Sequence, residues 1–91
     1  MRKPNWEADA ELQLLNLLEF VGERNASAAA RLKATIDEAI GRSCQFPEIG
    51  RPGRVAGTRE LIVHPNYIVV YQITETAIDV LRLLHARQLY P

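Results

Sequence analysis

The stretch Tyr67-Ile68-Val69-Val70-Tyr71-Gln72-Ile73 is apolar on both parities. A strand with one wet face alternates, so this run reads as the central strand of a sheet, one face under helices and the other partly covered. Strand-like neighbours rich in Val, Ile, Leu and Thr flank it, Thr58 to Val63 before and Ala77 to Leu84 after. His64-Pro65-Asn66-Tyr67 reads as a tight turn, with Pro pre-set for its second position and Asn tolerant of the left-handed conformation after it. Thr74-Glu75-Thr76-Ala77 reads as a looser one. Short links between consecutive runs make these strands antiparallel neighbours.

Moving towards the N-terminus, Pro47, Gly50, Pro52, Gly53 and Gly57 punctuate residues 43–57 so densely that the segment reads as one long loop, carrying, with Arg42 at its start, Arg51 and Arg54 against only Glu48. A loop of that length in a small domain tends to carry function. Two helices precede it. In the first, Asn5 stands as N-cap, acids follow in the opening turn, and Leu12, Leu15, Leu18 and Val21, widened by Leu14 and Leu17, form an apolar stripe opposite Asp9, Gln13, Asn16 and Glu23. Asn25 caps the second, whose apolar positions are Ala29, Leu32, Ile36 and Ile40, with Gly41 placed to end it. Before them, Met1-Arg2-Lys3-Pro4 supports at most a stub of edge strand, since Pro4 donates no ladder bond. Trp6, Phe20 and Phe46 read as core or core-edge residues. The expected architecture is α+β: an N-terminal helical hairpin packed on one face of a small antiparallel sheet, residues 1–91 making one domain.

The 91 residues are 47% hydrophobic and 24% charged, which excludes a disordered tail or a collagen-like chain. Eleven Lys+Arg balance eleven Asp+Glu, which argues against a surface that is a nucleic-acid glove throughout. Direct nucleic-acid binding is therefore not expected. The zero is a sum, however: residues 1–41 hold five basic and seven acidic groups, whereas residues 42–91 hold six and four, the six all arginine. A lone Cys44 makes no internal disulfide, and without a His or second Cys beside it reads as an inert small hydrophobe. No apolar run approaches the roughly 20 residues of a membrane span. No secretory leader is recognisable, so a cytoplasmic location without membrane partners is expected. No Walker loop, dinucleotide fingerprint or zinc spacing occurs, so neither metal nor cofactor is expected. Gly50-Arg51-Pro52-Gly53 only superficially suggests a phosphate loop, because Pro52 removes one of the amides that would cradle an anion.

Gly50-Arg51-Pro52-Gly53, Gly57-Thr58-Arg59-Glu60-Leu61, Tyr67-Ile68-Val69-Val70-Tyr71 and Leu84-His85-Ala86-Arg87-Gln88 with a terminal Tyr90-Pro91 occur in an order and spacing that resemble the RelE/ParE superfamily of toxins. The two-helix start fits the same scheme. One departure is the start of the chain, where the family usually has a full first strand. The resemblance implies the toxin of a type II toxin–antitoxin module, neutralised by a cognate antitoxin that lays a helix and an extended segment over it. RelE-like members cut messenger RNA in the ribosomal A site; ParE-like members poison DNA gyrase.

The residues weigh on that choice. Attack by a 2′-hydroxyl needs a base for its proton, cations around the phosphorane and an acid for the leaving oxygen. In RelE-like nucleases an Arg lies on the strand that reads here as Tyr67 to Ile73, just before the Val-Tyr pair. This chain has Ile68 at that place, and an isoleucine neither binds phosphate nor moves a proton. A ParE-like, gyrase-binding toxin that is not an enzyme is the favoured reading. The alternatives are a ribosome-dependent, metal-independent endoribonuclease using His85, Arg87 and Tyr90, and an inactive toxin that retains only antitoxin binding. Candidate target- or antitoxin-binding residues are Arg51, Arg54, Arg59, His64, Tyr67, His85, Arg87, Gln88 and Tyr90. Several have plainer readings beside this one: Arg59 in a salt bridge to a helix carboxylate, His64 and His85 as turn or strand-end hydrogen bonders, Tyr90 docked on the core. The abundance of Arg suits bidentate pairing with carboxylates, so an acidic segment is expected in the antitoxin. Unpaired edge amides invite an added strand and an apolar groove invites a helix, which places that antitoxin on the helical hairpin and the open sheet edge.

Overall fold

The computed structural model describes residues 1–87, so the candidates Gln88 and Tyr90 lie outside the described residues. Its elements run β1 (Lys3–Trp6), α1 (Ala8–Arg24), α2 (Ala26–Gln45), a 3-10 turn (Pro47–Ile49), β2 (Arg51–Pro52), β3 (Arg59–His64), β4 (Tyr67–Ile73) and β5 (Ala77–His85). The sheet order is β1-β5-β4-β3-β2. The doubly apolar run thus occupies the middle, antiparallel to β3 and β5 as its sequence implied.

The two helices cover one face of the sheet. Ala10, Leu14, Leu32, Ile36, Ala39 and Ile40 meet Leu61, Val63, Val69, Tyr71, Ile78, Val80 and Leu83 in one buried cluster. A single residue joins the helices. Asn25 stays extended, and its Oδ1 accepts from the Ala28 amide at 3.0 Å, satisfying a donor that the start of α2 would otherwise leave bare.

Several local expectations are corrected. A first strand does form, two residues further along than the stub, and it pairs in parallel with Ala77 to Val80 of β5. The sheet is therefore mixed. Pro4 is tolerated because β1 is an edge. Asn5 is not the cap of α1: it lies in β1, where its side-chain amide donates to Asp79 Oδ1 at 2.9 Å, and the extended Glu7 precedes the helix without a side-chain cap.

The buried face of α1 is Ala10, Leu14, Leu17, Leu18 and Val21, leaving Leu12 and Leu15 exposed. Ala10, with no exposed surface, lets the helix approach the sheet closely, and that contact selects the face; apolar count alone left the phase open. Gln13, expected in solvent, instead accepts the Leu83 amide at 2.9 Å, covering β5 beyond the end of β1.

Gly41 does not end α2, which continues to Gln45 because Ser43 and Cys44 carry its buried face onward. The long loop is accordingly broken into the last turn of α2, the 3-10 turn and β2. Gly57 supplies its one left-handed residue, with φ of 85°. Trp6 packs against the core as expected, but Phe20 and Phe46 are exposed.

Candidate functional site

The candidate residues fall on three places. The first is the sheet face away from the helices. Register sets Val70 between Glu60 and Arg82, Ile68 between Ile62 and Leu84, and Gln72 beside Asp79. The centre of this face is apolar: Ile68, Val70 and Leu84 form a second buried cluster, and Ile62 stands 58% exposed beside them. Arg51, on β2, donates to Glu60 Oε1 at 2.9 Å; the carboxylate is almost wholly buried while the guanidinium remains in solvent. Arg82 is exposed on the same face, beside a hollow of about 530 Å³ also lined by Glu7, Asp9, Val55, Thr58 and Val70.

Sequence reading missed Arg82, and the reason is geometric. Ile78 and Val80 face the helices, so simple alternation would send residue 82 the same way. The pairing shifts between Val70 and Tyr71, so that Tyr71 faces Val80 and Val70 faces Arg82, with Leu81 as the extra residue. This bulge turns Arg82 to the open face and Leu83 into the core.

The second place is the end of the sheet, where His64, Tyr67 and His85 form one row. The Tyr67 ring centroid lies 5.4 Å from that of His64 and 5.7 Å from that of His85, the latter edge-on. Each imidazole caps the turn after its strand: His64 Nδ1 accepts the Asn66 amide at 3.1 Å and His85 Nδ1 accepts the Arg87 amide at 3.2 Å. His64 thus makes the turn bond, and His85 the strand-end hydrogen bond, that the sequence suggested. In His64, an Nδ1 engaged in this way leaves Nε2 as the nitrogen able to meet a partner. Arg87 itself is exposed just beyond.

The third place is a clamp on the loop, and it takes Arg59 out of the other two sites. Arg59 Nη1 donates to Gly50 O at 2.6 Å and to Glu48 O at 3.4 Å, binding carbonyls in place of the expected helix carboxylate. Beside it the Tyr71 hydroxyl donates to Pro47 O at 2.6 Å and accepts the Gly50 amide at 3.0 Å. Tyr71 is fully buried, and burial pushes its phenol above the ordinary value, with the Gly50 bond and the Arg59 charge opposing. The Gly50 amide is thus committed within the fold, which closes the phosphate-loop resemblance. A Cβ at Gly50 would stand 2.8 Å from both Glu60 O and the Tyr71 hydroxyl, so only glycine fits. Arg54 is exposed on the turn beyond. Cys44 is buried with its thiol pushed up by desolvation, as an inert core thiol should be.

Among the described residues no three His, Cys, Asp or Glu side chains stand close enough to hold a metal ion. Among the described residues no helix is long and apolar enough to cross a membrane.

The described geometry is thus a helical hairpin over a sheet whose other face presents arginines around an apolar centre. The family model described as the ParE toxin of the type II toxin–antitoxin system parDE matches residues 5–90, and the chain belongs to that family. It is 32% identical to the Y4kP protein of Sinorhizobium fredii, over 99% of this chain and 94% of that one. It is also 30% identical to Toxin RelE2 of Caulobacter vibrioides, over 92% of each. Among solved structures, a chain of the chromosomal ParDE toxin–antitoxin system from P. aeruginosa has a TM-score of 0.81 at 20% identity, covering 93% of this chain and 96% of that one. A chain of the E. coli DinJ–YafQ toxin–antitoxin complex gives 0.63 at 12% identity, covering 99% and 98%.

Proposed function

We propose that this toxin acts by binding DNA gyrase and is held inactive by a cognate antitoxin, both in the cytoplasm. The observation that carries the reading is the open sheet face at residue 68. Where phosphate chemistry would need a cation, Ile68 is buried between Ile62 and Leu84, and one of the two arginines on that face, Arg51, is bound to Glu60. An apolar centre with a charged rim is the composition of a protein-binding surface rather than of a phosphoryl-transfer site. The arginines at 51, 54 and 87 and the His64–Tyr67–His85 row then serve target or antitoxin contacts, with Arg59 holding the loop from which Arg51 projects.

Purified toxin should inhibit gyrase supercoiling or trap cleaved DNA. No effect at large molar excess would remove the reading. Toeprinting on programmed ribosomes separates the nuclease alternative: A-site cuts lost on His85→Ala would replace gyrase by the ribosome. Expression without antitoxin that left growth unaffected would identify a chain reduced to antitoxin binding.

A further inference from the structure

The face of α1 turned away from the sheet carries a feature that folding does not use. Leu12 and Leu15 are 57% and 56% exposed and, three residues apart, share one side of the helix. Carboxylates surround them. Glu11 and Glu19 stand four residues before and after Leu15, Asp9 three before Leu12, and Glu23 one turn beyond Glu19. All four are exposed, and none makes an ion pair among the described residues. The only cation of the helix, Arg24, is engaged elsewhere: its guanidinium carbon lies 4.1 Å from the Phe20 ring centroid, and Nη1 reaches Phe20 O at 3.4 Å.

For an isolated helix this arrangement is unfavourable. Two leucines keep apolar area in water, and Glu19 and Glu23 repel at one-turn spacing. We infer that this face docks a cationic amphipathic helix of a partner protein, whose apolar side chains cover Leu12 and Leu15 and whose lysines or arginines meet Glu11, Glu19 and Glu23. Charge complementarity selects that occupant. An acidic helix, the kind suited to the arginine-bearing half of the chain, would set like charges against four carboxylates. The inference stands apart from the choice of gyrase or ribosome, since it uses no residue of the sheet.

The test titrates the intact toxin with two synthetic amphipathic helices, one of leucine and lysine, the other of leucine and glutamate, following backbone amide shifts by NMR. The lysine peptide should bind and shift the amides around Leu12, Leu15 and Glu19. Binding should fall about tenfold for the double variant Leu12→Ser/Leu15→Ser, the loss of an interface anchor, and should weaken for Glu19→Lys/Glu23→Lys and in high salt. Both variants change exposed positions, and an unchanged thermal midpoint confirms that they fold. Shifts centred elsewhere, equal binding of the glutamate peptide, or indifference to the leucine substitutions would overturn the inference. A dimer of the toxin alone that the leucine substitutions dissolve would also overturn it, giving the face to a second copy.

Discussion

The two faces of the sheet use the same strands for opposite ends. On the helix side, Val69, Tyr71, Ile78 and Val80 are completely buried, and the one hydroxyl among them has a donor and an acceptor to satisfy it. On the other side, Ile68 and Val70 are also buried, yet Ile62, Arg51 and Arg82 beside them remain in solvent. Buried contacts are concentrated on the first face, and the proposed function assigns recognition to the second, so substitutions of similar size should separate the two properties.

The largest effect belongs to the helix side. Tyr71→Ala empties the centre of the core and releases both Pro47 and Gly50, and should cost about 3–5 kcal/mol in denaturant unfolding. A loss below 1 kcal/mol would show that the helix face is not the stabilising one. Gly50→Ala comes next: with backbone and a buried phenol 2.8 Å from the new methyl, overpacking should cost about 1–3 kcal/mol.

Tyr71→Phe keeps the ring but strands the Gly50 amide, an expected loss of about 1–3 kcal/mol at neutral pH. The same substitution should change the alkaline limb. The folded phenol titrates above its ordinary value of 10.0, so an unfolded chain releases that proton first. The contribution of this phenol to stability is therefore complete below pH 10.0 and is lost as pH rises through the folded value. Cys44, raised from 9.0, adds a loss of the same sign beginning lower. Thermal midpoints should decline less steeply above pH 10.0 in Tyr71→Phe than in the parent, while the Cys44 contribution persists.

The hairpin joint offers an intermediate case. Asn25→Ala removes the acceptor of the Ala28 amide and should cost about 1 kcal/mol. The smallest change in stability is expected on the open face, where Ile62→Ser and Arg82→Ala should stay within about 0.5 kcal/mol yet reduce gyrase inhibition. If these variants inhibit like the parent, recognition lies elsewhere, and the His64–Tyr67–His85 row becomes the next surface to substitute.

Much of this was legible in sequence because it depends on local rules. A doubly apolar strand has to be central, an asparagine between two helical stretches caps the second, and a histidine at a strand end bonds its own turn. What escaped depends on distant partners. The stripe of α1 offered six apolar residues on a broad arc, and only the close seat of Ala10 against the sheet decided which were buried. Gly41 looked like a stop because nothing local reveals that Ser43 and Cys44 have a core to enter. Arg59 looked like a site residue because the carbonyls it holds, at 48 and 50, come from a loop whose path no periodicity describes.

By itself the sequence determined the helical hairpin, the three long strands and the central place of Tyr67 to Ile73, carried by residue order and spacing of side-chain character, and its motifs carried the resemblance to the superfamily. Tertiary structure alone decided the parallel first strand, the bulge that turns Arg82 outward, and the separation of the candidate residues into a face, a row and a clamp. The physical reason is that a register shift of one residue reverses which side of a sheet a side chain occupies, and register is fixed by pairing between segments far apart in the chain.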